Sequence, residues 1–239
     1  YGGRGIGRLD GMAVFVGGTM PGDRVRALVV KRKSSYAETV LVEVIEPSPR
    51  RLQPPCPLFG ECGGCAWQHI PYEEQLIAKR QIVRESIEHI GGLEGVEVRD
   101  IVASPQPFHY RNKMEFSFGT DDSGRAQVGF HRSGRWQDVL DVRRCWLHPE
   151  PFDLVLEEIR RWAHERGVGV YDSRTHQGFL RHLVIRGSAA TKGLVVVLMT
   201  GESRDPGVAA LCEGLRTACP ELQGFVWGLN TGLSDVARV

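Results

Sequence analysis

Along the first 48 positions apolar and polar residues alternate with the period of a strand. Residues 11–16, 24–30 and 39–45 carry the apolar sets, with turns at Gly17-Gly18, Pro21-Gly22-Asp23 and residues 31–35. Three short strands on tight turns predict a small OB-like β-barrel over residues 1–48. Gly2-Gly3-Arg4-Gly5-Ile6-Gly7 has the look of a phosphate loop, but a strand follows it where a dinucleotide fingerprint requires a helix. Pro47, Pro49, Pro54 and Pro55 then predict a stiff connector.

The period changes after residue 70. Pro71, with Glu73 and Glu74 behind it, opens a helix over about 72–90 that Gly91-Gly92 closes. Its stripe is Tyr72, Leu76, Val83, Ile87 and Ile90, while Ile77 and Ile82 leave the stripe and imply a second contact surface. Strand-like runs follow at 113–118, 126–131, 180–186, 194–200 and 224–228. Helices at about 150–166, capped by Gly167, and at 206–219, opened by Asp205-Pro206, interleave with them. The fold class is therefore α+β: an N-terminal barrel and, over 49–239, an α+β domain with a mainly antiparallel sheet. The longest apolar run, 194–199, is too short to cross a bilayer, and no signal-like segment opens the chain, so no membrane partner is expected. A chain that opens on Tyr1 and stops at Val239, in what reads as mid-element, is expected to be part of a longer protein.

Six cysteines supply the candidate chemistry. Cys56, Cys62 and Cys65 share a glycine-rich loop, and iron needs soft thiolate ligands gathered in such a loop, with Gly63 and Gly64 offering no Cβ to obstruct wrapping. A fourth ligand is required. Cys145 stands at the end of a polar stretch, as a ligand would, whereas Cys212 and Cys219 fall on the apolar stripe of the last helix and read as core thiols. Zinc is the rival metal, but its sites usually pair two C-x2-C knuckles and only Cys62 and Cys65 form one. Cysteine usage of this kind is cytoplasmic rather than that of a secreted disulfide framework.

The net charge of +1 conceals an uneven distribution. Residues 1–53 hold nine Lys/Arg against five Asp/Glu and residues 54–100 four against eight, so the N-terminal module suits a polyanion. Arg4, Arg8, Lys31, Arg32 and Lys33 are its candidate phosphate contacts, with Arg111, Lys113, Arg132 and Arg181 further along; for each, a solvated charge or ion pair is the competing role. Phe108, Tyr110 and Trp67 suit packing better than base stacking, and His109 and His182 read as structural.

Assembled, these stretches resemble the RNA uracil-5-methyltransferase family. The likeness rests on Gly5-Ile6-Gly7-Arg8 with Pro21-Gly22-Asp23, Cys56-x5-Cys62-Gly63-Gly64-Cys65-x2-Gln68, Tyr72-x2-Gln75-Leu76-x2-Lys79, Tyr110 to Phe116 and Leu180 to Arg186. It implies a TRAM barrel, a 4Fe-4S cluster on Cys56, Cys62, Cys65 and Cys145, and RNA as partner, with 23S rRNA ahead of tRNA. It further implies that S-adenosylmethionine and the catalytic residues belong to a C-terminal domain absent here. No catalytic residue is assigned to this chain, and the 72–90 helix is expected to pack on that missing domain or, without it, to self-associate. Two alternatives remain: a non-catalytic, metal-containing RNA-binding module, and a radical enzyme, whose C-x3-C-x2-C spacing the loop does not match.

Overall fold

The computed structural model describes residues 2–233 and 237, so the expected mid-element stop at Val239 lies outside the described residues. The chain divides into two compact units, residues 1–60 with 64–107 and residues 61–63 with 108–239.

The first unit contains one more strand than the three expected. Strands β1 (Arg4–Leu9), β2 (Met12–Gly17), β3 (Arg24–Arg32) and β4 (Tyr36–Glu46) lie in the order β1-β2-β4-β3. β2 runs parallel to β4 and the other pairs are antiparallel. Asp10 and Gly11 join β1 to β2, both at positive φ (50° and 79°), which is the geometry of a type I′ hairpin turn and explains the Asp-Gly pair. Among the described residues the pairings leave β1 and β3 as edges, so the sheet is not closed as the barrel expectation had it. Polar ties hold the connector to the sheet. Asp23, whose side chain is buried, accepts from Met20 N at 2.9 Å, Ser48 N at 2.9 Å and Arg51 Nη1 at 2.5 Å, and Arg51 Nη2 reaches Gly18 O.

The expected 72–90 helix is two pieces. α1 (Tyr72–Glu85) passes into a π-helical turn, Ser86–Ile90, in which Gly91 N donates to Ser86 O at 2.9 Å. A Cβ on Gly91 would stand 2.7 Å from Ile87 O, so the wider turn needs glycine there. No residue of α1 or of the π-turn is buried: Ile77 is 69% and Ile90 86% exposed, while Leu76, Ile82 and Ile87 are half-buried. The extended segment that follows returns to the helix, with Arg80 Nε donating to Val98 O and the Tyr72 hydroxyl accepting from Ser104 N.

The second unit is a six-stranded sheet in the order β10-β9-β8-β5-β6-β7. Its strands are β5 (Lys113–Thr120), β6 (Ala126–Arg132), β7 (Arg135–Asp141), β8 (Leu180–Gly187), β9 (Leu194–Thr200) and β10 (Leu222–Leu229). Only β9 and β10 pair in parallel, as the mainly antiparallel expectation requires. Residues 180–185 of the central β8 are buried without interruption, so both faces of the sheet are covered there. α2 (Pro151–Arg166) ends at Gly167 in the left-handed region (φ 59°) with Val168 N bonded to Ala163 O, the cap foreseen from sequence. α3 (Val208–Ala218) begins two residues later than expected: Asp205 Oδ1 accepts from Gly207 N and Val208 N, leaving Pro206 outside the helix. Cys219 sits just beyond α3 in extended conformation rather than on its stripe, yet it is fully buried.

Candidate functional site

In the first unit one side chain brings two of the predicted ligands together. Gln68 Oε1 accepts from Cys56 N at 3.3 Å, and its Nε2 donates to Cys65 Sγ at 3.2 Å. The loop is anchored on both sides of this bridge. Gln75, in the first turn of α1, donates to Trp67 O (3.1 Å) and Ile70 O (2.9 Å), and Leu52 N bonds His69 O. His69 is fully buried against Phe59, ring centroids 5.4 Å apart, and burial lowers its pKa below the ordinary value. A Cβ on Gly3 would come within 2.6 Å of Ala66 Cβ, so a bare backbone is what lets the N-terminal segment lie against the loop.

Cys62 belongs to the second unit, where it forms an antiparallel bridge with Arg132. Glu61 is ion-paired with Arg132 and its carbonyl accepts from Ser133 N at 2.7 Å. At Gly63 the nearest protein atom, His131 O, would stand 3.9 Å from an added Cβ. Cys145 is buried in the same unit, and its N–H donates to Asp153 Oδ1 at 3.3 Å. Arg160 of α2 fixes the preceding stretch, giving Nε to Asp141 Oδ1 at 2.9 Å and Nη2 to Val142 O at 3.0 Å. His148 is fully buried between Phe116 and Phe152, and its Nε2 stands 3.5 Å from Asp153 Oδ1. Burial acts oppositely on this pair, lowering His148 to about 4 and raising Asp153 to about 6. Cys219 is pushed up to about 11 by burial and by Glu221, the reverse of an activated nucleophile.

An N–H aimed at sulfur over 3.2 Å suits a thiolate, the form in which cysteine binds iron or zinc. Among the described residues no three His, Cys, Asp or Glu side chains are gathered as one metal ion would need.

The basic candidates divide by partner. Arg4 and Lys31 both face Glu38, at 3.8 and 3.4 Å, Lys113 is paired with Glu115, and Arg132 with Glu61. Arg8 touches only Gly11 O at 3.3 Å among the bonds described, Arg111 Nη1 lies 3.9 Å from Met114 Sδ, and Arg32 and Lys33 are exposed at the end of β3. Arg181 is 4% exposed, its guanidinium 4.1 Å from the Tyr171 ring centroid and bonded to Asn230 O and Gly232 O, an internal tie rather than a surface cation. Gln68 and Gln75 form the polar frame of the loop, to which His69 adds its carbonyl as acceptor for Leu52 N. The resemblance rests in part on Gln68 and Gln75 but gives them no role, because a polar side chain bridging two loop positions leaves no periodic trace.

The chain matches no protein-family profile. It is 42% identical over 229 residues to an uncharacterized RNA methyltransferase of Chlorobaculum tepidum, covering 90% of this chain and 47% of that protein. One from Caldanaerobacter subterraneus is 40% identical over 235 residues, 98% of this chain and 52% of that protein. In fold it matches the crystal structure of Pyrococcus abyssi tRNA (uracil-54, C5)-methyltransferase in complex with S-adenosyl-L-homocysteine. The TM-score is 0.71 at 23% identity, over 98% of this chain and 53% of that one. The chain thus has the fold of part of an RNA methyltransferase, and it spans about half the length of the curated relatives it matches. No helix among the described residues is long and apolar enough to cross a membrane.

Proposed function

We propose that residues 1–239 are the RNA-binding and iron–sulfur portion of an S-adenosylmethionine-dependent RNA (uracil-C5)-methyltransferase, acting on a uridine of 23S rRNA or tRNA. The observation that carries this reading is 42% identity to a named RNA methyltransferase along 90% of the chain. The sheet of residues 4–46 serves as a TRAM-like RNA-binding module, with Arg8, Arg32 and Lys33 foremost and the ion-paired cations behind them. Cys56, Cys62, Cys65 and Cys145 are the thiolates for a 4Fe-4S cluster, which when bound supplies a structural cross-link and a one-electron centre. Methyl-donor binding and catalysis are assigned to no residue of this chain. Uracil C5 becomes nucleophilic only after a thiolate adds to C6, and Cys219, at about 11, is unsuited to that role. The exposed Ile77, Val83 and Ile90 of α1 and the π-turn are proposed to meet the missing methyltransferase domain or a second copy.

The test is methyl transfer from labelled S-adenosylmethionine to 23S rRNA and to tRNA by the longer protein and by residues 1–239. The reading expects label on uridine C5 with the longer protein and none with residues 1–239, which should still bind RNA. Methylation by residues 1–239 alone, or label on another base, overturns it.

A further inference from the structure

We propose that Gln68 is a positioning residue for the cluster, its carboxamide holding Cys56 and Cys65 at once and placing a hydrogen-bond donor on the Cys65 sulfur; this rests on the iron–sulfur reading above. The orientation of the amide follows from its partners. A backbone N–H can only donate, so the atom facing Cys56 N must be Oε1, and this turns Nε2 toward Cys65 Sγ. Glutamine combines that reach with a donor and an acceptor on one carbon; glutamate lacks the donor and methionine lacks both. The side chain is part-buried, and Gln75 pins the backbone on either side of residues 68 and 69 through Trp67 O and Ile70 O, so the donor is held in place rather than left to rotate. A donor on a thiolate stabilises negative charge there. Reduction adds negative charge to a cluster and its ligands, so Gln68 favours the reduced state and raises the potential.

The experiment compares Gln68→Glu, Gln68→Met and Gln75→Met in anaerobically purified protein. Iron and sulfide content, the reduction potential followed by electron paramagnetic resonance, and the rate of iron release to a chelator are measured for each. Both Gln68 variants are expected to shift to lower potential, and Gln68→Met to release iron about tenfold faster or more, the scale of outer-shell losses at metal sites. Gln75→Met loosens the same loop without touching sulfur and is expected to leave the potential in place. Wild-type protein without iron and sulfide would sink the iron–sulfur reading itself. A wild-type cluster whose potential is matched by both Gln68 variants would overturn the role of Gln68 and leave that reading standing. Should Gln68→Met fail to fold, Gln68→Asn, an uncharged amide too short to reach both Cys56 N and Cys65 Sγ, decides in its place by the same shift to lower potential.

Discussion

The two units keep their apolar side chains in different ways. In the second, Phe116, Phe152, Leu156, Leu183, Leu198 and Leu211 are buried to 1% exposure or less, between a six-stranded sheet and its helices. In the first, the buried apolar set is Val16, Met20, Ala37 and Ile70, while Leu28, Val30, Val40, Val42 and Ile77 stand exposed. The first unit relies instead on polar ties: Asp23 to Arg51, Gln75 to the loop, Gln68 to two cysteines. Burial stabilises in proportion to apolar area, so the second unit holds itself together while the first depends more on ties and on what binds it.

The largest effect should come from breaking the second unit's core. Leu183→Ala or Phe116→Ala is expected to cost about 3–5 kcal/mol in urea unfolding, whereas Val42→Ala in the first unit should stay within about 0.5 kcal/mol. Comparable losses at both positions would erase the contrast between the units.

Acid should separate them next. His148, lowered by burial to about 4, contributes stability that is present above its ordinary 6.5 and lost as pH falls through the folded value. Asp153, raised to about 6, contributes stability that is present below 3.8 and lost as pH rises through 6, so the two slopes oppose each other. Asp153→Asn removes one of them, and the second unit should then lose about 2 kcal/mol more between pH 6.5 and 4 than the wild type does. In the first unit His69 is lowered by burial as His148 is, with Thr19 and Asp23 acting against that lowering, and its acid sensitivity should be unaffected by that substitution. An unchanged pH profile for Asp153→Asn would mean that burial is not what sets this pair.

How much of this was legible in the sequence follows the same division. The run at 194–200 was readable because it is apolar from Leu194 to Met199, that at 180–186 because Leu180, Leu183, Val184 and Ile185 stand out around Arg181 and His182, and Gly167 because a left-handed cap is a local requirement. β1 was hidden by Gly2, Gly3, Gly5 and Gly7, which dilute any alternation, and β7 by Arg135-Trp136-Gln137-Asp138, polar because it is an exposed edge. The break in the 72–90 helix was invisible because a π-turn is set by the close approach at Gly91, not by periodicity. Cysteine spacing marked the loop, but nothing in the spacing revealed that Gln68 spans it. Arg181 counted as one more cation in the sequence; its place in a strand covered on both faces is what removes it from the surface.

Smaller effects sharpen the comparison on the RNA side. Neutralising Arg32 and Lys33 should each lower the salt slope of RNA binding by about one, while Arg181→Gln should leave the slope alone and destabilise the second unit. An equal slope change for Arg181 would place that residue against RNA after all. Smallest of all, Ile77→Glu should alter stability by less than about 0.5 kcal/mol and reduce self-association in sedimentation, and unchanged association would remove this face of α1 from any interface.

The most direct measurement is the iron and acid-labile sulfide content of anaerobically purified protein, taken for the wild type, Cys145→Ser and Cys212→Ser. The account predicts a brown wild type with iron and sulfide in equal amounts at about four each per chain, lost in Cys145→Ser and retained in Cys212→Ser. Zinc without sulfide, or iron that survives Cys145→Ser, would contradict it.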